Sequence, residues 1–125
     1  MKKVLIIDDD ESMRTMLLQM MEREGIEAIG AGDGKTGLLQ IDTFQPDLVI
    51  TDIIMPGMEG LETIIELRRK LPKLPLIAIS GGGRVGPETY LPMAKQFGAR
   101  HVFTKPLDRK EFMLTVRQCL NEEES

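Results

Sequence analysis

The sequence contains one cysteine, one histidine and no hydrophobic run long enough to cross a membrane. Cys119 alone cannot form an internal disulfide, so a reducing compartment such as the cytoplasm is expected. A transmembrane helix needs about 20 consecutive apolar residues, and no segment approaches that length. Lys2 and Lys3 are followed by only a short apolar stretch before Asp8, which predicts a strand and not a signal peptide.

Basic residues are too few for a nucleic-acid-binding surface. The 125 residues include 16 Lys and Arg against 20 Asp and Glu, which gives a net charge of -4. A nucleic-acid interface needs a basic face, so the composition argues against that class. His101, the only histidine, is a poor metal ligand candidate and is expected to face solvent on a strand. Hydrophobic residues make up 42% of the chain, which is enough for the core of one domain spanning residues 1–125.

Short apolar runs alternate with segments whose hydrophobic residues recur at helical spacing. Such alternation predicts five strands and five helices, in an α/β fold with a parallel sheet and right-handed crossovers. Methionines at helical spacing after the first strand are expected to fill the core. The second strand is less apolar than the others and is expected at a sheet edge. The predicted strands are residues 4–7, 26–31, 48–51, 76–79 and 101–104.

Polar residues follow four of these apolar runs. Asp8 and Asp9 end the first run, Asp52 the third, Ser80 the fourth and Lys105 the fifth. In open parallel sheets, ligands bind beyond the carboxyl ends of the strands, where the strand order reverses. Carboxylates, a hydroxyl and an ammonium group suit a divalent cation and a phosphoryl group. Without a cation, repulsion among three carboxylates should raise the pKa of at least one.

Each of these residues also has a simpler interpretation. Asp8 and Asp9 could be an acidic pair favoured by the dipole at a helix N-terminus. Ser80 alone could be a turn residue, and Lys105 alone a solvated surface lysine. The acidic-pair interpretation, however, leaves Asp52 and Lys105 unexplained.

Four sequence pieces together resemble the response-regulator receiver domain, the phosphoacceptor module of two-component signalling. They are IIDDDESMR, DLVITDIIMPGMEG, AIS before a loop, and FTKP, in this order along the chain. Each motif is weak alone, but the ordered set is specific. The resemblance implies a flavodoxin-like, doubly wound sheet in the order 2-1-3-4-5 with five helices. It also implies a cytoplasmic, stand-alone receiver similar to the chemotaxis regulators.

The resemblance implies which residues accept the phosphoryl group and hold the metal. Asp52 would be the phosphorylated carboxylate and would attack as a nucleophile. Asp8 and Asp9 would hold Mg²⁺ together with Asp52, and the backbone carbonyl of Ile54 would add a ligand. Apart from this phosphoryl transfer to its own aspartate and autodephosphorylation, no enzyme activity is expected.

The remaining roles implied by the resemblance concern the phosphoryl oxygens and the partners. Ser80 would donate a hydrogen bond to a phosphoryl oxygen, and Lys105 would pair with the acyl phosphate, set by a cis peptide before Pro106. The donor would be a phosphohistidine on a sensor histidine kinase or a histidine phosphotransfer protein. The output would be a changed surface on the fourth helix, fifth strand and last helix, read by another protein, without direct nucleic-acid contact or membrane insertion.

Two departures from the family pattern bear on how a signal would leave the site. Val102 stands where family members often carry an aromatic residue, and Phe103 is expected to point to the other face of the strand. The glycine-rich residues 81–87 look longer than the usual loop, and Pro92 is expected in the first turn of the fourth helix. This loop could be a flexible connector, and the alternative hypothesis is that its ordering, with Ser80 as its hinge, and a shift of the fourth helix carry the signal.

Two other functions fit parts of the pattern. A metal-dependent phosphatase could use Asp52 as its nucleophile, but it expects a general acid two residues later, where this chain has Ile54, and a cap insertion that is absent from the sequence. A pseudo-receiver that binds partners without phosphorylation would not need the intact acidic set.

Overall fold

Five parallel strands in the order β2-β1-β3-β4-β5 form the centre of the fold. The computed structural model describes residues 2–53, 59–80, 95, 96 and 98–122. The parallel sheet and its order are confirmed. The elements are β1 (Lys3–Ile7), α1 (Glu11–Arg23), β2 (Glu27–Ala31), α2 (Gly34–Phe44), β3 (Leu48–Asp52), α3 (Glu59–Lys70), β4 (Leu76–Ser80), β5 (His101–Thr104) and α4 (Arg109–Glu122).

The predicted fourth helix and the glycine-rich loop before it fall mainly outside the described residues. Residues 81–94, including the expected position of Pro92, are not described, whereas Lys95 and Gln96 are helical. The C-terminal helix α4 is therefore the fifth of the predicted helices. No helix in the described part of the chain has the length and apolar character needed to span a membrane.

The burial of each strand matches its position in the sheet. Every residue of β3 and β4 is buried, whereas β2 and β5 are largely half-buried. Strands covered on both faces read as continuous apolar runs, and β2 lies at the predicted edge. His101 opens the other edge strand and is half-buried instead of solvent-facing. β3 and β4 each extend one residue beyond prediction, so Asp52 pairs with Ile79 and Ser80 with Thr104.

Alternate strand residues supply two hydrophobic cores, one on each face of the sheet. Leu5 and Val49 pack in the core beneath α2 and α3, whereas Ile6 and Ile50 pack in the core beneath α1 and α4. Met20 and Met21 of α1 are buried in this second core, as predicted. The cores fix the sheet register, because a one-residue slip would turn every strand side chain to the wrong face.

The ends of α1 and α2 are set by aspartates that accept backbone hydrogen bonds. Asp10 caps α1 and accepts from the N–H groups of Ser12 and Met13 at 3.0 and 3.3 Å. Asp33 caps α2 and accepts from Thr36 N–H at 2.7 Å, which lowers the pKa of Asp33. Side-chain oxygens at these positions satisfy N–H groups that have no partner within the helix. The cap at Asp10 starts α1 directly after the acidic pair that follows β1.

Candidate functional site

Four strands end at one edge of the sheet and bring the predicted polar residues together there. Asp8 directly follows β1, Asp52 and Ser80 are the last residues of β3 and β4, and Lys105 directly follows β5. The backbone N–H of Lys105 donates to the carbonyl of Ser80 at 2.8 Å, which joins the ends of β4 and β5. The described part of the predicted site therefore forms one cluster.

Three carboxylates lie close enough to share one cation. Asp8, Asp9 and Asp52 each offer a carboxylate oxygen, and these atoms lie within 4.8 Å of one another. Asp8 and Asp52 are 1% and 4% exposed, whereas Asp9 is exposed. Buried carboxylates are costly without a counter-charge. Hard oxygen ligands in this arrangement fit Mg²⁺, which keeps some of its waters when it binds protein.

Lys105 lies between the two buried carboxylates. Its Nζ atom is 3.0 Å from Oδ2 of Asp52 and 3.4 Å from Oδ2 of Asp8. Burial lowers the pKa of Lys105, but the hydrogen bond to Asp52 and the charges of both carboxylates outweigh burial, so the pKa is raised overall. The ammonium group therefore stays charged at neutral pH.

Burial and charge act differently on Asp8. Burial is the largest effect and raises its pKa to about 6, the charge of Asp52 acts in the same direction, and the hydrogen bond from Asp10 N–H and the charge of Lys105 oppose them. A raised pKa was expected for at least one carboxylate of the set, but burial and not repulsion is its main cause. A divalent cation bound at this carboxylate would therefore compete with its proton.

Within the part of the chain that the structure describes, Ser80 and Asp8 each have a buried side-chain oxygen without a hydrogen bond. Oγ of the fully buried Ser80 has no hydrogen-bond partner among the described residues, and Oδ2 of Asp8 accepts none there, although it lies 3.4 Å from the Lys105 ammonium. A buried polar group without a partner costs about 1–3 kcal/mol. The Ser80 hydroxyl could donate a hydrogen bond to a bound anionic group. The Asp8 oxygen could bind a cation.

The structure also bears on three further sequence predictions. The Lys105–Pro106 peptide bond is cis, as expected. Val102 and Phe103 pack on opposite faces of the sheet, and the ring of Phe103 meets that of Phe112 edge-to-face at 5.2 Å between centroids. Ile54, whose carbonyl was predicted as a metal ligand, lies outside the described residues.

Sequence reasoning missed Arg14. Its guanidinium donates to the main-chain carbonyl of Asp8, with 2.8 Å between Nη1 and the oxygen. The sequence offers a weak signal for this contact, namely an arginine one turn into the helix that follows the acidic pair, opposite a strand that contains Gly30. Neither residue stands out without the packing of α1 against β2.

The order of the sheet and the acidic edge together define a receiver-type α/β signalling fold. A family model described as "Response regulator receiver domain" matches residues 4–117. The chain therefore belongs to the receiver domains of two-component response regulators.

Two relatives of this chain differ in how much of their own length it covers. Protein PilH of Pseudomonas aeruginosa is 30% identical over 122 residues, which cover 96% of this chain and 98% of PilH. The alkaline phosphatase synthesis transcriptional regulatory protein PhoP of Bacillus subtilis is 31% identical over 123 residues, which cover 98% of this chain and 50% of PhoP. The chain thus spans half the length of PhoP and 24% of the length of NtrC from Azospirillum brasilense.

Solved structures show the same fold over nearly the whole chain. A CheY-like receiver domain protein from Methanospirillum hungatei matches with a TM-score of 0.87 at 27% identity, covering 99% of this chain and 97% of that one. The chemotaxis protein CheY4 of Vibrio cholerae matches with a TM-score of 0.84 at 28% identity, covering 96% of this chain and 99% of that one.

The raised pKa of Asp8 predicts that metal-free protein loses stability as the pH rises. The folded protein holds the proton of Asp8 more tightly than the unfolded chain does. The contribution of this proton to the free energy of unfolding is therefore complete below pH 3.8 and is lost as the pH rises through about 6. One pKa unit corresponds to about 1.4 kcal/mol, so the loss is at most about 3 kcal/mol. Urea unfolding in EDTA between pH 4 and pH 7.5 measures it. Asp8→Asn cannot titrate and should lack this decline, whereas parallel pH profiles would exclude the effect.

Proposed function

We propose that this receiver accepts a phosphoryl group on Asp52, with Mg²⁺ held by Asp8, Asp9 and Asp52. The observation that carries the proposal is the buried Asp52 carboxylate, which contacts the Lys105 ammonium at 3.0 Å and lies beside two further carboxylates. The backbone carbonyl of Ile54 would complete the protein ligands. Mg²⁺ supplies charge neutralisation for phosphoryl transfer when it is bound.

The charges of the cluster support a divalent cation in particular. Three carboxylates and one ammonium group give -3 + 1 = -2 when all are ionised. One Mg²⁺ would bring this sum to zero before the phosphoryl group arrives. The positive charges of Lys105 and the cation would then attract the phosphoryl oxygens, since Coulombic interactions are stronger in a partly buried site than in water.

The bonds that change in the transfer belong to the nucleophile and the donor. A carboxylate oxygen of Asp52 would form a bond to phosphorus while the phosphorus–nitrogen bond of a phosphohistidine breaks, and the imidazole would leave with the bonding electron pair. Lys105 would then pair with the phosphoryl group, and the hydroxyl of Ser80, which has no hydrogen-bond partner among the described residues, would donate a hydrogen bond to one of its oxygens. The product is an aspartyl phosphate, which hydrolysis returns to the starting carboxylate.

The proposed partners follow from this chemistry. The donor is a sensor histidine kinase or a histidine phosphotransfer protein, and the exchange takes place in the cytoplasm, with which the single cysteine of the sequence, Cys119, is consistent. A downstream protein would bind the face formed by the predicted fourth helix, strand β5 and the C-terminal helix α4. A groove of about 450 Å³ on this face, lined by residues such as His101, Thr104 and Glu111, gives such a partner a surface to contact.

Phosphorylation by a small donor tests the proposal. Incubation with acetyl phosphate and Mg²⁺ should add one phosphoryl group, seen by intact-protein mass spectrometry, and EDTA should prevent the addition. Unmodified protein under conditions that label another receiver would instead indicate a module that binds partners without phosphorylation. Release of phosphate from many small monoesters would indicate the phosphatase alternative.

A further inference from the structure

The backbone of Asp8 is held by hydrogen bonds on both sides of its Cα atom. Its N–H donates to the carbonyl of Ala31 at the end of β2, at 3.0 Å. Its carbonyl accepts from Arg14 Nη1 at 2.8 Å. The carboxylate Oδ1 accepts from the N–H of Asp10 at 2.9 Å. Because β1 ends at Ile7, the Asp8 carbonyl lies beyond the strand ladder, and Arg14 supplies its hydrogen bond.

Glycine in β2 leaves the space through which Arg14 reaches this carbonyl. A Cβ atom at Gly30 would lie 3.0 Å from both Cγ and Cδ of Arg14, and one at Gly32 would lie 3.6 Å from Nη1. Contacts near 3.0 Å are tighter than ordinary van der Waals contact. The aliphatic part of Arg14 therefore packs directly on the backbone of β2, and any side chain at position 30 would press against it.

We propose that Arg14 is a positioning residue for the metal site, and this inference rests on the proposed function above. By fixing the carbonyl of Asp8, the guanidinium sets the direction in which the Asp8 side chain leaves the backbone. That direction brings it beside Asp9 and Asp52 and next to Lys105. Arg14 touches neither the cation nor the phosphoryl group in this role. Groups that orient metal ligands typically change metal affinity 10–100-fold when they are removed.

Variants that remove the guanidinium of Arg14 but keep an aliphatic stem test this role. Arg14→Met keeps an unbranched stem over Gly30 and removes the donor, whereas Arg23→Met, in the exposed last turn of the same helix, is the matched control. Calorimetric titration at a temperature where circular dichroism shows every variant folded should give about 10-fold weaker Mg²⁺ binding for Arg14→Met. Arg23→Met should bind as the parent does. Gly30→Ala should weaken binding in the same direction, because its methyl group displaces the arginine.

A second measurement needs no metal. Loss of the Arg14 bond should loosen the turn after β1, so amide hydrogen exchange at Asp8 and Asp10 should become faster in Arg14→Met than in Arg23→Met. Mg²⁺ affinity and exchange rates equal to those of the control would overturn the inference while leaving phosphorylation of Asp52 intact. A parent protein that binds no Mg²⁺ would instead overturn the proposed function, and the inference with it.

Discussion

Asp52→Asn should be folded and completely unlabelled by acetyl phosphate in Mg²⁺. The amide has nearly the shape of the carboxylate, which suits a side chain that is only 4% exposed. It retains an oxygen that can accept the hydrogen bond from Lys105, but it lacks the anionic oxygen that attacks phosphorus. Intact-protein mass spectrometry of the parent and the variant side by side should therefore show one added phosphoryl group and none.

A second aspartate provides the control for this experiment. Asp42 lies on α2 with its side chain 82% exposed and pairs with Lys70 at 3.4 Å. Asp42→Asn makes the same chemical change on the surface and should be labelled as the parent is. Equal labelling of Asp52→Asn and the parent would place the acceptor at another residue.

Asp9→Ala should weaken Mg²⁺ binding by a factor of about ten or more. The exposed carboxylate of Asp9 is one of the three that lie within 4.8 Å of one another, and its loss removes a ligand or the support of one. The same change should raise the melting temperature in metal-free buffer, because it relieves repulsion of the neighbouring carboxylates. Calorimetric titration and thermal unfolding of one sample measure both effects.

Asp10, the neighbour of Asp9, provides a control that distinguishes the loss of a metal ligand from the loss of a helix cap. Asp10 accepts hydrogen bonds from the start of α1, and Asp10→Ala should cost about 0.5–2 kcal/mol of stability. Its backbone N–H, which contacts Asp8, remains in the variant, so Mg²⁺ affinity should change little. If Asp9→Ala lowers stability and leaves Mg²⁺ affinity unchanged, Asp9 also belongs to the helix start and not to the metal site.

Much of this fold can be predicted from the sequence because its signals are local. Apolar runs with polar ends identify buried parallel strands, and the carboxyl ends of such strands meet at one edge. The sequence pattern alone therefore groups Asp8, Asp52 and Lys105. Which residue caps α1 depends on the fold, because aspartate and serine both suit a helix N-cap and only the hydrogen bonds show that Asp10, and not the nearby Ser12, holds this position.

Other features depend on packing between distant segments. Asp8 and Asp9 are adjacent in sequence, yet Asp8 is buried and Asp9 is exposed to solvent. Burial is the main cause of the raised pKa of Asp8, and no sequence pattern states how deeply each of the two side chains lies. The contact of Arg14 with the Asp8 carbonyl likewise depends on how closely α1 approaches β2, which Gly30 permits.

The pairing of β1 with β3 makes the acidic edge a property of the assembled sheet alone. Val4 pairs with Leu48, and this ladder brings Asp8 and Asp52 together from distant parts of the chain. An unfolded chain cannot hold them at that separation, so a cation bound there would bind the native state and not the denatured ensemble. By mass action, a cation at 100 times its dissociation constant would add about 2.7 kcal/mol to the free energy of unfolding. Resistance to denaturant would thus rise with Mg²⁺ concentration even in unphosphorylated protein.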